Sequence, residues 1–136
     1  MKSALLKIFS GKKNTQIGLI VLCAITALCA CSSHPHVDGF DNHIWKNDHL
    51  GCNSQREKHY NKLLQQKKKI IGIQENTLLR WLGPPDAKDL YTRNKKSYIY
   101  FVSPGEQCNN TDKPGKKIVF EISALGKVNM VREEII

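Results

Sequence analysis

The feature that most limits what this chain can fold into is an apolar run, Ile17 to Ala30, set between a lysine-bearing start and Cys31. Lys2, Lys7, Lys12 and Lys13 precede it, and small residues close it. Positive start, short apolar centre and small-residue end are the outline of a secretory signal. At 14 residues the run is short for a membrane span, which needs roughly 20. The next residues, Ser32-Ser33-His34-Pro35-His36, carry no basic stop-transfer cluster. The expectation is that residues 1–30 are removed on export. The 106 residues left are enough for one domain and too few for two.

The end of the run is more specific than its middle. Of the three cysteines near it, Cys23 sits mid-run and Cys29 follows bulky Leu28. Only Cys31 has a small residue before it and an aliphatic residue three back, in Leu28-Cys29-Ala30-Cys31. This resembles the bacterial lipoprotein signal. The resemblance implies that Cys31 is the lipidated residue and the mature N-terminus, and that the membrane is a partner through the lipid anchor. Ser32 in the next position favours, by the same resemblance, the outer membrane, with the protein facing the periplasm. The expected organisation is a signal over 1–30, a lipidated tether and lead-in over 31–51, and a folded domain over 52–136.

Once the signal's four lysines are gone, 17 basic residues face 12 acidic ones, a formal balance of +5 against +9 for the whole chain. Such a balance suits anionic lipid head groups or an acidic partner protein. Nucleic acid is set aside because an exported, tethered protein does not meet it. Cys52 and Cys108 are the pair left after the signal and the anchor are counted, and in an oxidising compartment they are expected to form a disulfide. Two buried free thiols are the alternative.

Residues 32–39 read as a tether. Phe40, Ile44 and Trp45, at helical spacing, read as a cluster that docks on the domain. The lead-in also holds His34, His36, Asp38, Asp41, His43 and His49. A His-x-His with carboxylates can bind copper or zinc, but no spacing fixes a geometry, so no metal and no cofactor are assigned. Ser54-Gln55-Arg56-Glu57 matches a capping box and opens a first helix, with Tyr60, Leu63, Leu64 and Ile70 or Ile71 on one stripe. Lys67-Lys68-Lys69 closes it, where cations suit the helix dipole, and Gly72 breaks the pattern. A second helix runs from about Gln74 to Leu82, then Gly83 with Pro84-Pro85 stops it.

Four strands are expected after that: 88–92, weakly marked; 97–102, with Tyr98, Tyr100 and Val102 on one face; 117–123, with Ile118, Phe120 and Ile122 inward; and 128–133, with Val128 and Met130 together. The predicted class is therefore α+β, two helices packed on an antiparallel meander of three to four strands.

Ile70-Ile71-Gly72-Ile73, Leu78 to Asp86 with its Leu-Gly-Pro-Pro-Asp ending, Tyr98-Ile99-Tyr100 and the final strand–glycine turn–strand over 118–131 together resemble the SmpA/OmlA (BamE-like) lipoprotein family. Similar two-helix, antiparallel-sheet units occur in β-lactamase-inhibitor-like proteins. The resemblance covers roughly 54–132. It implies a non-catalytic protein-binding or scaffold module of the envelope, an accessory of outer-membrane β-barrel assembly. An inhibitor or sensor of an envelope enzyme is the second reading and a metal-handling lipoprotein the third. Gln74 stands where the family usually opens its second helix with Ser or Thr, and the Cys52–Cys108 pair lies outside the family pattern. The chain has no phosphate loop, nucleophile elbow or His-Glu-x-x-His signature. No catalytic residue and no small-molecule substrate are assigned. Tyr91, Arg93, Lys95 and Lys96 are the expected contact surface for a protein partner.

Overall fold

The lead-in is already folded. In a computed structural model, residues 34–91, 95–109 and 113–136 are described. Asp41 caps a one-and-a-half-turn helix, α1 (Asn42–Asn47), its carboxylate accepting from the backbone N–H groups of His43 at 2.8 Å and Ile44 at 3.2 Å. Trp45 on this helix is completely buried. A 3-10 turn over His49–Gly51 then leads into α2 (Gln55–Gln65).

The cap of α2 is not the one its sequence advertises. Ser54 stands at φ 56°, ψ 14° and its hydroxyl makes no capping bond. Buried Asp48 caps the helix instead, accepting from the backbone N–H of Asn53 at 2.9 Å, Gln55 at 2.7 Å and Arg56 at 2.9 Å. One carboxylate from outside the helix satisfies donors that a single hydroxyl would satisfy only in part.

The helix is also interrupted where the sequence pattern predicts continuity. Gln66 (φ −107°, ψ 19°) separates α2 from a short α3 (Lys67–Ile70). Ile70 is fully buried, while Ile71 stays 44% exposed. The Gly72 N–H then bonds the carbonyl of Val128 at 2.7 Å. Helix α4 (Glu75–Leu82) comes next, with Gln74 at its cap making no side-chain bond. It ends at Gly83, whose φ of 83° and ψ of −176° suit glycine alone.

The rest is one sheet: β1 (Ala87–Tyr91), β2 (Lys95–Phe101), β3 (Lys116–Ile122) and β4 (Val128–Ile135), antiparallel in the order β1-β2-β3-β4. The protein is α+β, helices first and then an open antiparallel meander. Tyr98 pairs with Phe120 and Phe120 with Val131; Tyr100 pairs with Ile118. These residues form one face, and Leu63, Ile70, Leu78, Trp81 and Leu82 cover it from the helices. Fully burying a large apolar side chain contributes about 1.5–3 kcal/mol, so this interface holds most of the stability.

The last strand departs from simple alternation. The register slips at Glu121/Ile122, with Glu121 opposite Met130 but Ile122 opposite Val128. The extra residue is a bulge. It puts Val128 and Val131 on the core face and turns Met130, 47% exposed, to the other. On that outer face Ile99 and Val119 pair side by side and are nearly buried. Arg132, the register partner of Val119, bonds Glu121 and reaches Glu134 at 2.8 Å, and Lys117 meets Glu134 at 3.0 Å.

Candidate functional site

Cys31 lies outside the described residues. The segment after it joins the body sooner than a loose tether would. Val37 is buried in the core cluster. Asp38 N donates to Gln66 Oε1 at 3.1 Å, Gln66 Nε2 donates to Asp38 O at 3.1 Å, and Lys69 Nζ meets Asp38 Oδ2 at 3.1 Å. Lys69 holds the Asp38 carboxyl below the usual range. Phe40 sits 5.0 Å from the Trp81 ring and 5.5 Å from that of Trp45. Of the predicted docking cluster, Phe40 and Trp45 dock and Ile44 stays partly in solvent. The folded body thus reaches back well into the segment read as tether and lead-in. A shallow cleft of about 290 Å³ lies between His34–Asn42 and Trp81.

The lead-in is latched to one end of the sheet by a buried ion pair. Arg56, on the first turn of α2, is 2% exposed. Its guanidinium donates to Asp86, to the Phe101 carbonyl at 3.0 Å and, through Nε, to the Trp45 carbonyl at 2.9 Å. It also lies over the rings of Trp45 and Tyr100, at 5.1 and 5.7 Å. The Asp86 side chain is fully buried, and it accepts further bonds from Phe101 N at 2.9 Å and Leu50 N at 3.3 Å. Nearby, Cys52 and Cys108 are joined by a disulfide with Cα atoms 5.7 Å apart. Gln107 Nε2 donates to the carbonyls of Leu50 and Ser103. Gly51 allows the close approach: a Cβ there would lie 2.7 Å from the Phe101 carbonyl oxygen, and its φ is +69°. Cysteine counting predicts the disulfide. It does not predict the Arg56–Asp86 pair, whose members are 30 residues apart and joined by no local pattern.

The lead-in histidines do not converge. His36 Nε2 lies 3.0 Å from Asp38, His43 bonds Asn47 at 3.2 Å, and His49 points at Asp86 from 3.8 Å. Among the described residues no three His, Cys, Asp or Glu side chains gather as a metal would need.

The far end of the sheet carries a second polar cluster. Glu75, on the first turn of α4, meets Lys96 Nζ at 2.6 Å and accepts from the Tyr98 hydroxyl. Burial pushes the Glu75 carboxyl up, but the bonds from Lys96 and Tyr98 outweigh it and hold the group below its usual range. Lys96, one of the expected contact residues, is therefore turned inward and paired, and its pKa is raised by the Glu75 bond. Lys95 is exposed. Arg93 lies outside the described residues, as does the placement of the Tyr91 side chain. This end also exposes two leucines: Leu90 on edge strand β1, 82% accessible, and Leu125 in the β3–β4 turn, 83% accessible. No sequence pattern singles out either one. An exposed leucine on an edge strand leaves a signal only once the strand's place in the sheet is known.

No helix among the described residues is long and apolar enough to cross a membrane. No protein-family model, curated protein or solved structure matches this chain.

Proposed function

We propose that the protein is a lipid-anchored envelope lipoprotein, held through Cys31 at the periplasmic face of the outer membrane, which acts as a non-catalytic protein-binding module. The observation that carries this reading is how early the folded body begins. Val37 is already in the core, six positions after Cys31. A leash that short holds a binding surface against the bilayer rather than letting it range through the periplasm. The Cys52–Cys108 disulfide suits a chain exported to an oxidising space.

The α+β order, two principal helices followed by a meander, is compatible with the SmpA/OmlA resemblance, and so with an accessory role in β-barrel assembly. The open edge of β1 and the exposed Leu90 offer a strand edge to which an extended segment of a partner can add. The test is affinity purification of the native protein from detergent-solubilised membranes, with mass spectrometry of its N-terminus. Recovery of envelope proteins with an acylated Cys31 supports the proposal. An unmodified terminus, or a soluble hydrolase as the sole partner, refutes it.

A further inference from the structure

We infer that the partner segment which adds to the β1 edge is an acidic strand, one that sets an apolar side chain against Leu90 and a carboxylate against Lys88. The inference rests on the protein-binding reading just given and names the chemistry of its partner. Among the described residues β1 pairs with β2 alone, so its other edge is open. The opposite edge of the sheet is closed where it begins. Val128 N donates to Ile73 O at 3.0 Å and Gly72 N donates to Val128 O at 2.7 Å, while Gln74 bridges to Lys127.

Two features fix the chemistry of the β1 edge. The first is where Leu90 points. Residues directly opposite each other in an antiparallel pair project to one face. Lys88 pairs with Tyr98 and Leu90 with Lys96, so both share the face on which Tyr98 is packed into the core. No residue of β1 belongs to that core, and Leu90 is 82% exposed. The helices cover this face over β2, β3 and β4 and leave it bare at β1. The second feature is charge. Lys88 is exposed and forms no ion pair among the described residues; its Nζ lies 5.5 Å from the Tyr98 ring. Glu75, the nearby carboxylate on that face, is bonded to Lys96 and Tyr98. Asp89 and Lys95 project to the other face, by alternation along their strands. The bare strip is thus a leucine and an uncompensated lysine two residues apart. Its complement is an extended segment with an aliphatic residue two places from a glutamate or aspartate. Main-chain bonds along an edge give such a complex its affinity, and alternate side chains give its selectivity. A second copy of β1 carries lysine, not a carboxylate, on the matching face.

The experiment titrates the native, processed protein in detergent micelles with a fluorescent peptide that alternates threonine with valine and glutamate. A twin peptide carries lysine in place of glutamate. The expected result is saturable binding of the acidic peptide, at least about fivefold tighter than the twin, with amide-exchange protection gained along β1. Lys88→Glu should invert that preference. Leu90→Glu should weaken the acidic peptide by at least about fivefold. Leu125→Glu, on a side chain just as exposed but in the β3–β4 turn, should change nothing. All three positions are exposed, and matching thermal melts check that the fold is kept. Equal affinity for the two peptides, no binding of either up to about 1 mM, or protection along β4 instead of β1 overturns the inference. So does self-association that depends on Leu90, which assigns the edge to a second copy. None of those results touches the broader reading, which stands if envelope partners are recovered on an acylated Cys31. An inverted preference in Lys88→Glu together with an unmodified terminus supports the acidic strand and refutes the anchor.

Discussion

The two ends of the sheet are held by opposite means. At the end where β2 finishes and β3 begins, the lead-in is fixed by side chains: Arg56 on Asp86, Asp48 on the start of α2, and Cys52 on Cys108. At the other end the fixing is mostly main chain. Gly72 N bonds Val128 O at 2.7 Å, Val128 N bonds Ile73 O at 3.0 Å, and Glu75 N bonds Gly126 O at 2.9 Å. The one side-chain cluster described there, Glu75 with Lys96 and Tyr98, is partly in water, with Lys96 33% exposed. The first end depends on particular residues far apart in sequence. The second depends on backbone geometry that many residues can supply. The segment before α1 docks through Asp38 on Gln66 and Lys69, at the end of α2 away from Arg56.

The sharpest break of that comparison is Asp86→Ala. It leaves the Arg56 guanidinium buried without its counter-ion, which costs about 3–5 kcal/mol. Urea unfolding of the variant should show it, with a midpoint far below that of the parent. Replacing both partners, as Arg56→Met/Asp86→Leu, should recover part of the loss, because the penalty comes from the orphaned charge more than from the missing attraction. Equal loss in the double variant would mean that the hydrogen bonds to Trp45, Phe101 and Leu50 carry the end instead.

The disulfide comes next. Cys52→Ser/Cys108→Ser opens a cross-link between residues 56 apart. The expected loss is about 2–4 kcal/mol, through the freedom returned to the unfolded chain. Reduction of the parent protein should reproduce it in thermal melts. Asp48→Ala ranks third, at about 1–2 kcal/mol, since it strips the cap from α2. Ser54→Ala should change stability by less than about 0.5 kcal/mol, because its hydroxyl caps nothing. If the two traded magnitudes, the capping box would be operating in solution.

That pair of variants also marks where the sequence stops being readable. The alternation in 97–102 and 117–123 puts Tyr98, Tyr100, Ile118, Phe120 and Ile122 on the core face, because a period of two survives translation into a sheet. The same rule fails one strand later, since the bulge at Glu121/Ile122 moves Met130 out and Val131 in, and nothing local announces a bulge. Ser54 satisfies a motif, yet a carboxylate six residues earlier reaches the same donors with more charge. Asp86 is visible as part of Leu-Gly-Pro-Pro-Asp, but its partner is not: on a helix wheel Arg56 looks like a surface residue. The lysine run is legible as a helix end. Its place beside the segment before α1 is not, because that depends on Asp38 folding back onto Gln66 and Lys69.

The smallest effect is expected at the main-chain end and sharpens the contrast through pH. Glu75 has its pKa lowered on folding, so its contribution is present above the ordinary carboxylate value of 4.5 and is lost as pH falls through the folded value. Lys96 has its pKa raised, so its share is present below 10.5 and fades as pH rises past that. Between those limits Glu75→Gln should cost no more than about 1 kcal/mol, as befits a partly solvated pair. Where the pH is low enough to protonate Glu75 in the folded parent, the two proteins should unfold at nearly the same urea concentration. A loss as large as that of Asp86→Ala, or one that persisted undiminished in acid, would mean that this end is also held by its side chains. The division of labour between the two ends would then be wrong.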